Sequence, residues 1–328
     1  MKFGPVPIDA AEGAILAHSM RIAAGRRLRK GVTLTVDDLA ELRRTGVRTV
    51  TVALLEQGDV HEDRAAERVA AAVCGDGLRC APAATGRVNL YATAPGIVAI
   101  DRGAIDALNK IDPMVTIATV REWGRVTSDG LVATVKIISY AVSDEVLSRV
   151  ELVAKGALSL RRPQRQRVDL IETGPAPSRK AAAAIGGRLE RIGVELLTHR
   201  ATPHEAGAIA TAMREAEGDL LLLLTETATS DANDVGPEAL RAAGGHLTRF
   251  GMPVDPGNLL FLGELQQRPV IGLPGCARSP ALNGADWVLE RILCGVPVTG
   301  DDIAAMGVGG LLKDIPERRA PREAPEKR

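Results

Sequence analysis

Aromatic side chains are scarce: Phe, Tyr and Trp make up 2% of the 328 residues. The core must therefore be filled by Ala, Val, Leu and Ile. The scarcity also argues against single-stranded nucleic-acid binding, which relies on bases stacked on aromatic rings. Net charge of either sign is missing too, because 41 basic residues balance 41 acidic ones. No basic field steers the chain toward nucleic acid or an anionic membrane. Local clusters such as GRRLRK (Gly25–Lys30) and RRPQRQR (Arg161–Arg167) read as solvated loop or connector. No apolar run approaches the ~18 residues of a membrane span. The N-terminal MKFGPVPIDAAEGAIL lacks a signal-peptide layout. Cys74, Cys80, Cys276 and Cys294 form no C-x-x-C pair, and their spacing with the histidines offers no metal-ligand pattern. The expectation is a soluble, cytosolic protein with reduced thiols.

What is present is ordinary for a globular chain, with 45% apolar and 25% charged residues. The length accommodates two hydrophobic cores. Residues 1–165 read as an α+β region. Their β-branched runs RTVTVALL (Arg48–Leu55), GIVAID (Gly96–Asp101), MVTIATV (Met114–Val120) and LVATVKIISYAV (Leu131–Val142) are strand-like. Between them lie three helical patterns. One begins after Thr35, a natural N-cap, carries Asp37 and Asp38 at its positive end, and stops at Gly46. The others cover Glu62–Gly77 and Arg102–Asp112.

Residues 166–298 alternate strand and helix, the pattern of an α/β three-layer domain with a mixed, mostly parallel sheet. VDLIETG (Val168–Gly174), VELLTHR (Val194–Arg200) and the continuous DLLLLLTE (Asp219–Glu226) are the expected parallel strands. Helices are expected over about Ser178–Arg191, within Pro203–Gly218, where Gly218 is the stop, and from Pro237. NLLFLG and PVIGLPG flank a five-residue polar connection and predict an antiparallel hairpin. Ser279 and Pro280 read as the start of a last helix closed by Gly295, with Leu282, Ala285, Leu289 and Ile292 as its apolar stripe. Residues 299–328 form an extension whose charged, proline-bearing end, Leu312–Arg328, is expected to be disordered.

Ligands of open α/β sheets settle beyond the carboxyl ends of the strands, which singles out three loops. TGPAPSRK places Thr173, Gly174, Ser178, Arg179 and Lys180 where they could contact an anion; alternatively, Ser178 only caps a helix. TETATSDANDVGPE concentrates hydroxyls and carries Asp231 and Asp234. These carboxylates could hold Mg²⁺ or take a proton, or Asp234 could only cap a helix. In the third loop Gly272 and Gly275 free the backbone for close approach, Pro274 stiffens the turn, and Arg278 suits a phosphate or carboxylate. The helix expected from Pro280 would aim its positive end at the same place. Cys276, beside Arg278, reads as a small packed residue or as a thiol with lowered pKa. TGRVNL (Thr85–Leu90) could line a cleft or fix a turn.

In this order the loops resemble the molybdopterin-binding domain of molybdenum cofactor biosynthesis proteins, the molybdotransferases and adenylyltransferases. Thr225, Thr229 and Asp234 stand at the Thr, Ser/Thr and Asp of the family's Thr-Gly-Gly-x-Ser/Thr motif and its following Asp. Pro256 and Gly257 fall on its Pro-Gly turn, and Gly272, Leu273, Pro274, Gly275 and Ser279 on its Gly-Leu-Pro-Gly-Asn-Pro-x-Ser segment. Glu226 and Thr227 replace two glycines, Asp255 and Asn258 replace two lysines, and Cys276-Ala277 replace Asn-Pro. The resemblance implies a molybdopterin ligand held by Thr225, Thr229, Pro256, Gly257, Gly272, Pro274, Gly275 and Ser279, to which the reading of the loops adds Thr173, Gly174, Ser178, Ser230 and Arg278. It also implies Asp234 as the catalytic candidate, with Mg²⁺ at Asp231 and Asp234. With both lysines gone, phosphate contacts would shift to Arg278, Arg179 or Lys180. The N-terminal MKFGPVPIDAAEGAILAHS resembles a branch whose longer members continue into a cytidylyltransferase-like domain. Three roles therefore stand open: a binding module, an active Mg-dependent transferase, or an assembly partner of a molybdenum cofactor nucleotidyltransferase. A homo-oligomer is compatible with each.

Overall fold

The computed structural model describes residues 1–22 and 26–312. It divides into two compact units, Met1–Ala94 with Val98–Leu160, and Pro95–Ile97 with the chain from Arg161 onward. The tail expected to be disordered lies, beyond Leu312, outside the described residues, as does Gly25 of GRRLRK.

In the first unit, strand Thr49–Leu54 pairs antiparallel with Lys2–Pro7 and with Ile15–Leu16. Helix Val36–Arg44 buries Leu39 and Leu42 in a core with Leu16, Val50 and Val52. Thr35 caps that helix in a reciprocal capping box with Asp38, and Gly46 follows at φ +81°. Another core joins helix Glu62–Val73 to the sheet of Val115–Thr119, Leu131–Ile137, Arg87–Ala92 and Leu78–Cys80, through Ala66, Val69, Leu90 and Val135. The run expected as one strand, LVATVKIISYAV, breaks after Ile137, and Ala141–Ser143 pairs separately with Asp59–His61. Ser139 Oγ donates to Ala141 O at 2.7 Å across the bend, a local bond that competes with the ladder. In TGRVNL, Thr85 and Gly86 form a tight turn at φ +50° and +70°. Asn89 is engaged by its own sheet, accepting from Thr134 Oγ1 at 2.9 Å and donating to Tyr91 Oη at 3.1 Å.

The second unit contains strands β1 (Arg167–Thr173), β2 (Glu195–Thr202), β3 (Leu220–Leu224), β4 (His246–Phe250), β5 (Phe261–Leu265) and β6 (Arg268–Gly272). Its main helices are α1 (Arg179–Glu190), α2 (Ala206–Glu215), α3 (Val235–Ala242) and α4 (Gly284–Leu293). One six-stranded sheet has the order β2-β1-β3-β6-β5-β4. β2, β1, β3 and β6 run parallel, while β5 and β4 run antiparallel at one edge. All five leucines of β3 are buried. Leu221 and Leu223 pack in a core with Ile209 and Met213 of α2 and Ala239 and Leu240 of α3. Since neighbouring strand residues face opposite ways, the burial of Leu220, Leu222 and Leu224 requires cover on the other face too. This is the expected α/β architecture with a mixed, mostly parallel sheet.

Three local expectations need correction. The β5–β6 connection is two residues, not five: Gln266 and Gln267, at φ +52° and +63°, make the left-handed hairpin turn that matches strand twist. Strand β4, absent from the sequence reading, pairs with β5 through alternating, half-exposed HLTRF. The last helix begins at Gly284, not Pro280. Asn283 caps it in a capping box with Asp286, while Gly275–Arg278 forms a 3-10 turn that ends at Ser279. Leu282 therefore precedes the helix and is 46% exposed, whereas Ala285, Leu289 and Ile292 are buried.

Gly272 shows how tightly β6 joins the sheet: a Cβ there would lie 1.9 Å from Cε1 and 2.1 Å from Cδ1 of buried Phe261. The missing side chain serves ring packing, not ligand approach. At Gly275 the nearest atom a Cβ would meet among the described residues is Arg278 Nη1, at 4.0 Å. Gly272→Ala should lower the stability of the second unit by about 1–3 kcal/mol through overpacking. Gly275→Ala should stay within about 0.5 kcal/mol of wild type. Urea unfolding of both variants checks the contrast.

Candidate functional site

From β1 the chain passes through α1 to β2 on one side, then through α2 back past β1 to β3 on the other. The direction of winding reverses between β1 and β3. In open α/β sheets such a reversal leaves a crevice beyond the carboxyl ends of the strands, the usual place for a ligand. Thr173 and Thr225 stand at those ends.

Side chains stitch the two ends together. The Glu226 N–H donates to Thr173 Oγ1 at 2.6 Å. Thr173 Oγ1 also lies 3.0 Å from His204 Nδ1, and the opposite ring nitrogen, Nε2, lies 3.1 Å from Thr227 Oγ1. Thr225 Oγ1 donates to Thr227 O at 2.7 Å and sits 3.1 Å from Thr229 Oγ1. Thr173, Thr225 and Thr229 are buried; Thr227 and Ser230 are exposed.

Arg278, on the turn after β6, completes the link. Its Nη2 donates to Thr225 O at 2.9 Å and lies 3.6 Å from Glu172 Oε1. Glu172 is buried; its Oε2 accepts from the Ser178 N–H at 2.9 Å and lies 3.0 Å from His199 Nε2. A protein carboxylate thus already sits at the positive end of α1, where the sequence suggested an external anion. Ser178 caps α1 through the Ala181 N–H at 3.3 Å, and Arg179 and Lys180 face solvent. Gly174, at φ +143°, has open space where a Cβ would be.

A second buried network fixes the backbone of the third loop. Arg188 of α1 pairs with Asp286 of α4 through Nε at 2.6 Å. Its Nη1 donates to Ala184 O and Ala277 O, each at 3.0 Å, and its Nη2 to Ser279 O at 2.7 Å and Ala281 O at 2.9 Å. Ser279 consequently contributes its carbonyl to this cage rather than capping a helix, and its hydroxyl accepts from the Ala281 N–H at 3.3 Å. Pro274 is buried and Gly275 exposed at the head of the turn.

The remaining residues have local partners. Asp234 caps α3, which starts at Val235 rather than Pro237: Oδ2 accepts from the Ser230 N–H at 2.9 Å and Oδ1 from the Val235 N–H at 2.7 Å. Those two bonds, the one from Ser230 first, hold the carboxyl below the usual carboxylate range. Asp231 Oδ1 accepts from the Asn233 N–H at 2.8 Å. Among the described residues no cluster of three or more His, Cys, Asp or Glu side chains has the geometry to hold a metal ion. Pro256, in a cis peptide bond, accepts from the Gly284 N–H at 2.8 Å. A Cβ on Gly257 would lie 2.8 Å from that same nitrogen, so the Pro-Gly turn is packed on the start of α4. A separate cavity of about 290 Å³, lined by Arg165, Thr248, Glu264 and Pro269 among others, lies toward the amino end of β6, away from the switch point.

Sequence reasoning missed Glu172, His199, His204, Arg188 and Asp286. One signal was available for two of them: Glu172 interrupts an apolar buried strand, and Arg188 interrupts an alanine-rich helix. His199 meets Glu172 through the parallel pairing of β1 with β2. His204, just beyond β2, meets Thr173 at the end of β1 and Thr227 on the loop after β3.

A family described as a domain of unknown function (DUF8806) matches residues 5–54. No curated protein matches the chain. Among solved structures, a molybdopterin biosynthesis MoeA protein from Pyrococcus horikosii is 12% identical, over 90% of this chain and 75% of its own, with a TM-score of 0.33. A molybdenum cofactor biosynthesis protein from Pyrococcus furiosus is 13% identical, over 96% of this chain and 66% of its own, with a TM-score of 0.25. A molybdenum cofactor biosynthesis protein B is 13% identical, over 39% of this chain and 88% of its own, with a TM-score of 0.27. Likenesses at these scores assign no activity, and the family match lies outside the switch point. Among the described residues no helix is long and apolar enough to cross a membrane.

The Asp234 cap makes a pH prediction. Its folded pKa is depressed, so its contribution is complete above the unfolded value of about 3.9 and is lost as pH falls through the folded value. Asp234→Ala should cost about 1 kcal/mol at pH 7. The gap between wild type and variant in urea unfolding should shrink on acidification toward about pH 2. A gap constant across that range would remove the carboxylate's charge from the account.

Proposed function

We propose that the second unit binds molybdopterin, or a nucleotide-linked form of it, during molybdenum cofactor assembly. One observation carries the reading: two of the three loops with the family's motifs, after Leu224 and after Gly272, leave neighbouring parallel strands, the first of them at the switch point, and are joined by Arg278.

The donor set suits a phosphate-bearing ligand. Thr227 and Ser230 are exposed hydroxyl donors, and the guanidinium of Arg278 is partly exposed and hydrogen-bonds through Nη2 alone among the described residues. Arg278 thereby takes the part of the absent lysines, as a planar donor able to engage two oxygens at once. Glu172 lies 3.6 Å from the same Nη2 and offsets part of its charge.

Binding without group transfer is the reading we favour, because both oxygens of Asp234 are engaged by backbone, one by the Val235 N–H at the start of α3 and one by the Ser230 N–H of the preceding loop. Mg²⁺, where it takes part, would be held largely by phosphate oxygens and water with Asp231 at most assisting, since magnesium keeps several waters at such sites. A bound pterin of this kind would be passed to a nucleotidyltransferase of the same pathway.

Protein purified from a host that makes the cofactor should release an oxidisable, fluorescent pterin on denaturation. Arg278→Ala should retain about tenfold less, the loss expected for one charge-assisted contact. Wild-type protein that carries no pterin and does not bind added molybdopterin would sink the proposal.

A further inference from the structure

The cavity of about 290 Å³ in the second unit shares no lining residue with the crevice. Its size is at the lower end of small-molecule sites, which run from roughly 300 to 1,000 Å³. Its floor is the face of the sheet that carries Leu262, Glu264 and Pro269, where Glu264 stands in register with Pro269. The opposite face is closed, since a Cβ on Gly263 would collide with Leu240 of α3. Its roof is the chain that follows α4, Gly295 to Val298.

That roof is tied at both ends. The Gly295 N–H donates to Ile292 O at 3.1 Å and the Val296 N–H to Arg291 O at 2.9 Å. Beyond Val298, Gly300 O accepts from Arg249 Nη1 of β4 at 3.0 Å. Gly295 sits at φ +70°, and a side chain there would collide with Gln164, so the turn out of α4 takes glycine. Walls held in this way are formed before a ligand arrives, and binding between them needs little ordering.

Two opposite charges line this cavity, Arg165 and Glu264, and they do not pair with each other. Arg165 is anchored at the end of α4, its N–H donating to Leu293 O at 3.1 Å and its Nη1 to Ile292 O at 2.6 Å. Carbonyls at a helix C-terminus attract such a cation. Nε and Nη2, which share one edge of the guanidinium, have no partner among the described residues. That edge grips a carboxylate through two parallel hydrogen bonds. Glu264 is half-buried, and its carboxylate has neither a hydrogen bond nor an ion pair among the described residues. A carboxylate partly withdrawn from water is stabilised by an ammonium group placed beside it. Leu262, Ile292, Val296 and Val298 give the rest of the lining an aliphatic character.

We propose that this cavity binds a free aliphatic α-amino acid. The open edge of Arg165 holds the ligand's carboxylate, Glu264 takes its ammonium group, and its hydrocarbon side chain lies against Leu262, Ile292, Val296 and Val298. A cation with a free edge, an unpaired carboxylate and aliphatic walls in one small cavity match those three parts of the ligand. A further charge on the ligand would meet no counter-charge among these walls. The site uses none of the residues assigned to the pterin, so the failure of either proposal leaves the other standing.

The test titrates the isotopically labelled full chain with L-leucine, and with 4-methylpentanoate and 3-methylbutylamine, each of which lacks one of leucine's two charged groups. Leucine should saturably shift the amides of Gly263, Glu264, Gly295 and Val296 and leave those of Glu226 to Ser230 in place. Each analogue should bind at least about tenfold more weakly, the loss of one charge-assisted contact. Glu264→Gln should weaken leucine binding by about tenfold without weakening that of 4-methylpentanoate, a split that general misfolding does not produce. Wild type that shows no shift at these amides up to about 10 mM leucine, or that binds either analogue as tightly as leucine, overturns the proposal. These wild-type outcomes decide the matter even if the variant fails to fold.

Discussion

The buried ion pair between Arg188 and Asp286 is the constraint on which the rest of the second unit's site depends. Their side chains are 2% and 1% exposed. Bringing two charges out of water costs several kcal/mol per ion, and the pair persists only where every remaining donor is satisfied. Here the guanidinium donates to Asp286 and to the carbonyls of Ala184, Ala277, Ser279 and Ala281. Its five N–H groups are thereby used. Three of those carbonyls belong to the chain between β6 and α4, so they are held out of helical hydrogen bonding and α4 waits until Asn283. Asp286 then serves twice, pairing with Arg188 and accepting from the Asn283 N–H at 2.8 Å.

From that cage the electrostatics of the crevice follow. The turn that ends in Arg278 is set by Ala277 and Ser279, and Arg278 in turn reaches Thr225 and Glu172. Glu172 satisfies the start of α1 from within the protein. On the proposed reading, anion binding in the crevice would depend less on a bare helix terminus and more on hydroxyls and one guanidinium. This is a different distribution of charge from the lysine-bearing motif that the sequence resembles. It follows physically from the acids at 172 and 226, beside which a densely phosphorylated ligand would meet repulsion.

Much of the fold was legible because its signals are local. The β3 leucines, the Thr35 cap and the alternation of strand and helix each specify their element within a few residues. β4 was not legible, since HLTRF is half-exposed at the sheet edge and gains its pairing only from β5. The Gln266–Gln267 turn lacks the glycine or asparagine that marks a left-handed hairpin. Ser279-Pro280 carried a convincing helix start, yet the Arg188 cage overrode it, a tertiary effect no window of sequence contains. At the crevice, Thr173, Thr225 and Arg278 were named from their positions after strands, and the structure brings them to one edge. Glu172 and His204, which join them, were hidden because their partners lie far away in sequence. Gly272 was named for ligand approach but is fixed by Phe261 instead.

The most direct measurement is a map of backbone amide shifts on adding molybdopterin to isotopically labelled protein. The account predicts that the largest changes fall at Gly174, at Glu226 to Ser230 and at Gly275 to Arg278. Changes confined to the cavity lined by Arg165, Thr248 and Glu264, or no changes at saturating ligand, would contradict it.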